Sequence, residues 1–342
     1  MTKVWQTLLK TLPLSRKRHK KHGFTLIELL VTILISAVII TALLSFVIDL
    51  LQTDRREYAR AETQREMETA LNFIVDDLRE AVYIYDKVDQ QRSNSDRLQN
   101  FIPTQFNGAT ATPVLAFWKA QRLNDADLPS NCGDNDAECK QVTIRRRAYS
   151  LIVYYVAKNP ANDPKWRGKA RIIRYAFNKY PSLPSLGKTN GYRDPAEESS
   201  FENWPNVNGS PGGSAANQGA GTMQAVLVDF VDDPENQSIN PSQVETCTSS
   251  DPNSPFYSTD PSNNPTYRRI PDLNSNNRSN SFYVCIKTLG TVAGTNQQEK
   301  LNQDVILFLR GNPIGRVNAN DTQPLLTVRA GAIARGVIDK KP

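Results

Sequence analysis

A chain of 342 residues holds one large or two ordinary domains, and its formal charge of +6 reflects 41 Lys and Arg against 35 Asp and Glu. Seven of those bases, Lys3, Lys10, Arg16, Lys17, Arg18, Lys20 and Lys21, precede Gly23, and the balance beyond it is 34 against 35, so the charge belongs to the leader and argues against a nucleic-acid partner. Both histidines, His19 and His22, also precede Gly23. The rest of the chain therefore lacks the imidazole that Ser-His-Asp or Cys-His catalysis and histidine-containing metal sites require.

The first element follows the basic leader. Residues 24–48, FTLIELLVTILISAVIITALLSFVI, carry a single charge, Glu28. As a helix rising ~1.5 Å per residue they span about 37 Å, enough to cross a hydrocarbon core of ~30 Å. Asp49, Asp54, Arg55, Arg56 and Glu57 then return the chain to polar surroundings. Excess Lys and Arg on one flank marks the cytoplasmic side, so the leader is expected inside and the remainder outside the cytoplasmic (inner) membrane. A secretory signal places its small-residue cleavage site after the apolar core. Here Gly23 comes before it, so cleavage there would keep the whole hydrophobic helix and make Phe24 the new N-terminus. A carboxylate in hydrocarbon costs at least ~2.5 kcal/mol, which makes Glu28 a candidate functional residue.

The run KKHG-FTLIE resembles the class III signal of type IV pilins and type II secretion pseudopilins. The resemblance implies a prepilin peptidase cutting between Gly23 and Phe24, N-methylation of Phe24, and an assembly role for Glu28. In a filament the carboxylate of one subunit would neutralise the α-amino group of its neighbour, each charge being costly alone in lipid and tolerable when paired. Further implied partners are other major and minor pseudopilins, met through the N-terminal helix, and an inner-membrane assembly platform.

No glycine occurs from Phe24 to Asn107 and no proline from Leu14 to Ile102. Leu71, Ile74, Val75, Leu78, Val82 and Tyr85 recur at three- and four-residue steps. One helix is therefore expected from about Phe24 to about Tyr85, its stretch 49–86 amphipathic and packed under the head. The segment DRREYARAETQREMETALNFIVDDLREAVYIYD is similar to the HpsC-type hormogonium polysaccharide secretion pseudopilins of filamentous cyanobacteria, and more distantly to J-type minor pseudopilins of type II secretion. That narrower likeness covers residues 24–86.

From residue 87 to 342 short apolar runs alternate with polar loops. Strands are expected at 113–119, 148–158, 169–177, 223–231, 281–288 and 304–310, all rich in Val, Ile, Tyr and Phe, with a last edge strand within PLLTVRAGAIARGV. The stretch 148–177 reads as a hairpin. No helical periodicity separates the strands, so the expected fold class is α+β: type IV pilin-like, a long N-terminal helix packed on an antiparallel β-sheet head. Residues 178–222 and 232–280 read as long, poorly ordered loops, dense in Pro, Asn, Ser and Gly.

Cys132, Cys139, Cys247 and Cys285 form no C-x-x-C pair, which disfavours a zinc ribbon. Two disulfides, most simply 132–139 and 247–285, suit an oxidising compartment, although four cysteines allow three connectivities. The acidic stretches Asp134, Asp136, Glu138 and Asp229, Asp232, Asp233, Glu235 have the oxygen ligands calcium prefers, but neither follows the EF-hand pattern; the alternative is solvated acidic loops. With no P-loop, no dinucleotide fingerprint and no paired carboxylates placed in a cleft, neither catalysis nor a cofactor is expected.

These features lead to a minor pseudopilin in a filament that exports extracellular polysaccharide and supports gliding motility. The rivals are a minor pilin of a type IV pilus serving adhesion or DNA uptake, a J-type minor pseudopilin of protein secretion, and a membrane-anchored carbohydrate-binding or hydrolytic domain.

Overall fold

The computed structural model describes residues 23–86, 98, 102–103, 105–106, 109–161, 163–196, 201, 204, 223–235, 244–258, 267–272, 279–287, 303–316 and 325–334. The leader before Gly23 and the glycine-rich stretch 209–222 lie outside them. The chain divides into two compact units, Met1–Arg55 and Arg56–Pro342.

The first unit consists of the start of α1 (Leu26–Arg79), whose apolar side chains from Leu26 to Leu51 are all exposed. The second unit contains the rest of α1 and the head. Here the helix buries one stripe: Ala59, Thr63, Met67, Ala70, Leu71, Ile74, Val75, Asp77 and Leu78. Their three- and four-residue spacing keeps them on one face of a 3.6-residue helix.

The helix ends at Arg79, not near Tyr85 as the stripe suggested. Ala81–Ile84 instead forms β1, pairing with the strand that carries Trp118 and Phe117. Val, Tyr and Ile suit a pleated surface, and burial against that strand outweighs the helical spacing. Tyr85 then donates to the Phe201 carbonyl (2.9 Å) and accepts from the Trp118 indole (2.9 Å).

The head is one antiparallel sheet of ten strands among the described residues. After β1 come β2 (Gln105–Phe106), β3 (Ala109–Arg122), β4 (Arg147–Lys158), β5 (Ala170–Asn178), β6 (Met223–Val231), β7 (Tyr267–Ile270), β8 (Phe282–Lys287), β9 (Asp304–Gly311) and β10 (Leu326–Ile333). Their order is β1-β3-β4-β5-β6-β9-β8-β7, with β10 on β9 and β2 on β3. The sheet narrows at β6–β9, where Val231 opposite Gly311 is the paired position. It is tied elsewhere by Gln303, whose amide accepts from Ile84 N (3.0 Å) and donates to Ile84 O (2.9 Å). That buried side chain serves the edge of β1 as a neighbouring strand would.

Strand β7 and the packed segment 244–258 lie inside the stretch expected to be a loop from 232 to 280. The Cys247–Cys285 disulfide fixes that segment to β8, and Phe256, Tyr267, Tyr283 and Phe308 close over it. Loop closure over 38 residues stabilises by about 4 kcal/mol on the chain-entropy account. Residues from the other expected loop also pack. Trp204 lies edge-on to Trp118 (5.2 Å), Phe201 to Tyr149 (5.5 Å), and Tyr192 against Phe177 (5.3 Å). Both stretches are polar on average, but their few aromatics bury enough area to hold them.

A short helix, α2 (Ala137–Arg145), separates β3 from β4 where no helix was expected. Nine residues are too few to display a helical period. Asp136 caps it by accepting from Cys139 N (2.9 Å), and the Cys132–Cys139 disulfide ties its first turn to the preceding loop. Glu138 pairs with Lys179 (2.7 Å) and Lys188 (3.0 Å) and accepts from Tyr180 (2.5 Å), joining α2 to the segment after β5.

The register between helix and sheet is fixed by Asp77. Its carboxylate accepts from Tyr154 on β4 (2.6 Å), Arg174 on β5 (2.7 Å) and Lys119 on β3 (2.9 Å). Burial pushes this carboxyl up, and the donors Arg174, Tyr154 and Lys119 together outweigh burial and hold it below its usual range. Asp77→Asn takes the carboxylate from Arg174 and leaves Lys119 with Glu80 alone (2.9 Å), and is expected to cost about 3 kcal/mol, read from denaturant unfolding.

Burial likewise opposes ionisation of Glu138, but Lys179, Tyr180 and Lys188 bring it from 4.5 down to about 2. A depressed folded-state value means its stabilisation is complete above 4.5 and is lost as pH falls toward 2. Unfolding midpoints should drop across that window, and Glu138→Gln should make the drop shallower; an unchanged slope would show that the contact adds nothing.

Candidate processing and assembly site

At Gly23 and Phe24 the backbone is not helical and both residues are exposed, Phe24 by 80%. Nothing lies within 4 Å of the position a Cβ would take at Gly23. The Gly23–Phe24 peptide is thus non-helical and open, as a peptidase substrate must be.

Helix α1 begins directly after it. Thr25 Oγ1 accepts from Glu28 N (3.3 Å) and Thr25 O from Leu29 N (3.2 Å), so Thr25 is the N-cap and Glu28 the third helical residue. Thr-x-x-Glu is the capping-box spacing, and it places the Glu28 carboxylate in the first turn, where the helix dipole favours negative charge. Sequence reasoning used Glu28 but missed Thr25, although the same four residues carry the signal.

Around Glu28 the surface is hydrocarbon: Leu26, Ile27, Leu29 and Leu30 are all more than half exposed. Thr32, Thr41 and Thr53 return their hydroxyls to carbonyls three or four residues back, at 2.8, 2.5 and 2.9 Å, which removes them as exposed polar groups. Glu28 has no cation within ion-pair reach among the described residues. By length and composition α1 can cross a membrane, and none of its most apolar window is buried inside the protein. Apolar surface exposed over so many consecutive turns requires lipid or other apolar helices around it.

The acidic residues of the head are placed differently. Asp136 caps α2, Glu138 pairs with Lys179 and Lys188, and the Asp134 carbonyl accepts from Lys140 (2.6 Å). Asp229 accepts from the backbone of Arg167 (3.0 Å) and Gly168 (3.1 Å) and from Asn159 (2.8 Å). Asp232 pairs with Arg310 (3.1 Å), and Asp233 and Glu235 share Lys158. Apart from Asp233 and Glu235, which meet across Lys158, each of these carboxylates has its own separate partners. Among the described residues no three His, Cys, Asp or Glu side chains converge as a metal cage would require. All four cysteines are in the two disulfides. Asp77, the most heavily bonded carboxylate on α1, was not singled out from the sequence, where it reads as one more acid in VDDLRE.

Compared with known families, residues 18–44 match the prokaryotic N-terminal methylation motif. No curated protein and no solved structure matches the chain. The matched stretch contains the basic residues before Gly23, the open Gly23–Phe24 peptide, the capped helix start and Glu28. Such a motif implies processing by a prepilin peptidase and assembly into a pilus-like filament. This N-terminal motif, a helix long and apolar enough to anchor in a membrane, and an antiparallel sheet head together support a type IV pilin-like protein.

Proposed function

We propose that the chain is a minor pseudopilin, a structural subunit rather than an enzyme, in a short filament that drives export of extracellular polysaccharide and gliding motility. The observation that supports this most is Glu28: a carboxylate at the start of an exposed apolar helix, one turn from an open peptide whose cleavage supplies an amine. No described side chain supplies its cation, and the α-amino group of a processed neighbour is a cation at the matching depth. The polysaccharide role rests on the likeness of residues 24–86 to hormogonium polysaccharide secretion pseudopilins. The head faces the extracytoplasmic side because the basic leader stays with the cytoplasm. The two disulfides, one of them fully buried, suit that oxidising side.

Intact mass measurement of the protein extracted from membranes should give a chain beginning at Phe24 and bearing one added methyl group. A chain still beginning at Met1 would sink the reading. Glu28→Ala should leave processing and membrane insertion unchanged while recovery in sheared filaments drops about tenfold or more, the loss expected for an ion pair in a low-dielectric core. Loss of pili instead of polysaccharide export on gene deletion would move the chain to the type IV pilus.

A further inference from the structure

The β3–α2–β4 corner carries four arginines that the assembly role does not use. Arg122, the last residue of β3, stands directly opposite Arg147, the first of β4. Arg145 ends α2 and Arg146 is its C-cap. All four are exposed. Like charges directly opposite on neighbouring strands are destabilising, and this pair sits in an otherwise regular stretch of the ladder. Arg146 pairs with Asp125 at the surface (2.8 Å), but no described carboxylate pairs with Arg122, Arg145 or Arg147. Asp127, the other nearby acid, is bound to the backbone of Asn124 (2.9 Å).

The backbone beneath the cluster is firmly held. Arg146 adopts a left-handed conformation (φ 49°), a position where glycine is the ordinary choice. Its N–H donates to Val142 O (2.8 Å) and its carbonyl accepts from Leu123 N (3.0 Å). Leu123, Leu128, Val142, Ala148 and Tyr180 pack below. The disulfide and the Asp136 cap fix the other end of α2.

We propose that this corner binds an acidic polysaccharide through its carboxylate or sulfate groups; the inference deepens, and rests on, the polysaccharide-export reading. Three observations select that ligand class. The cations are all arginine, whose planar fork pairs two-to-two with carboxylate and sulfate oxygens. They project from three consecutive elements, which suits a repeating polyanion held by several modest contacts at once. Ile144 is the one large apolar residue exposed there among the described residues, with no exposed aromatic ring beside it. An interface with another protein needs such anchors at its centre.

The full-length protein in phosphatidylcholine nanodiscs tests this with polygalacturonate, dextran sulfate, neutral dextran and polyglutamate as probes. Binding to the acidic glycans, weakening as salt rises and absent for neutral dextran, is expected. The triple variant Arg122→Ala, Arg145→Ala, Arg147→Ala should bind about tenfold more weakly with an unfolding midpoint no lower than the parent's, and the corresponding triple lysine variant should recover part of the loss. A triple alanine variant that binds as well as the parent overturns the proposal, as does failure of the parent to bind. Polyglutamate bound as tightly as polygalacturonate would also overturn it, in favour of an acidic protein partner. Should binding fail while Phe24 processing and the Glu28 dependence hold, the arginine assignment falls and the filament reading stands. Should binding hold while deletion of the gene leaves export intact, the export reading falls instead.

Discussion

One buried carboxylate fixes how the head is built. Asp77 sits in the last turn of α1 and is reached from three adjacent strands, by Lys119, Tyr154 and Arg174. An isolated buried charge is costly, so a rotation or slide of the helix that takes Asp77 from those donors is penalised. The apolar stripe from Met67 to Leu78 then falls on the sheet, and the turn at Glu80 delivers Ala81–Ile84 to the edge of β3. Hydrophobic burial supplies most of the free energy, and the directional bonds at Asp77 choose the register.

The opposite face of the sheet is covered by chain with little regular structure. Residues alternate faces along a strand, so Lys119 points to α1 while Trp118 points away. Trp118, Tyr149 and Phe177 are roofed by Tyr192, Phe201 and Trp204. On the β7–β8–β9 half the Cys247–Cys285 bond holds Phe256 and its neighbours over Tyr283 and Phe308. Aromatic rings and a covalent link there do the covering that a second sheet or helix performs in other folds.

The functional segment obeys opposite rules. From Leu26 to Leu51 the helix has apolar residues on all sides and none buried within the protein, so its solvent is lipid or other helices. The threonine hydroxyls are satisfied within the helix, and among the described residues Glu28 is left as a charge with no cation beside it. In the proposed filament, processing at Gly23 would create a cation at the matching place in every subunit, and stacking would bring the two together.

How much of this was legible beforehand depends on the range of the interactions. The N-terminal motif, the membrane helix with Glu28, and six strands of the head with the last edge strand are local patterns, written in residue spacing alone. The end of α1, strand β7, helix α2 and the folding of two polar stretches onto the sheet were not legible. Each depends on a partner far along the chain: Trp118 for β1, Cys285 for the 244–258 segment, Lys179 for Glu138. The sequence by itself determined what the first half of the helix needs, because hydrocarbon length and one charge are properties of a continuous segment. Only the tertiary structure decided what each acid in the head does, because Asp77 and Glu138 take their roles from cations that the sheet brings within hydrogen-bond distance.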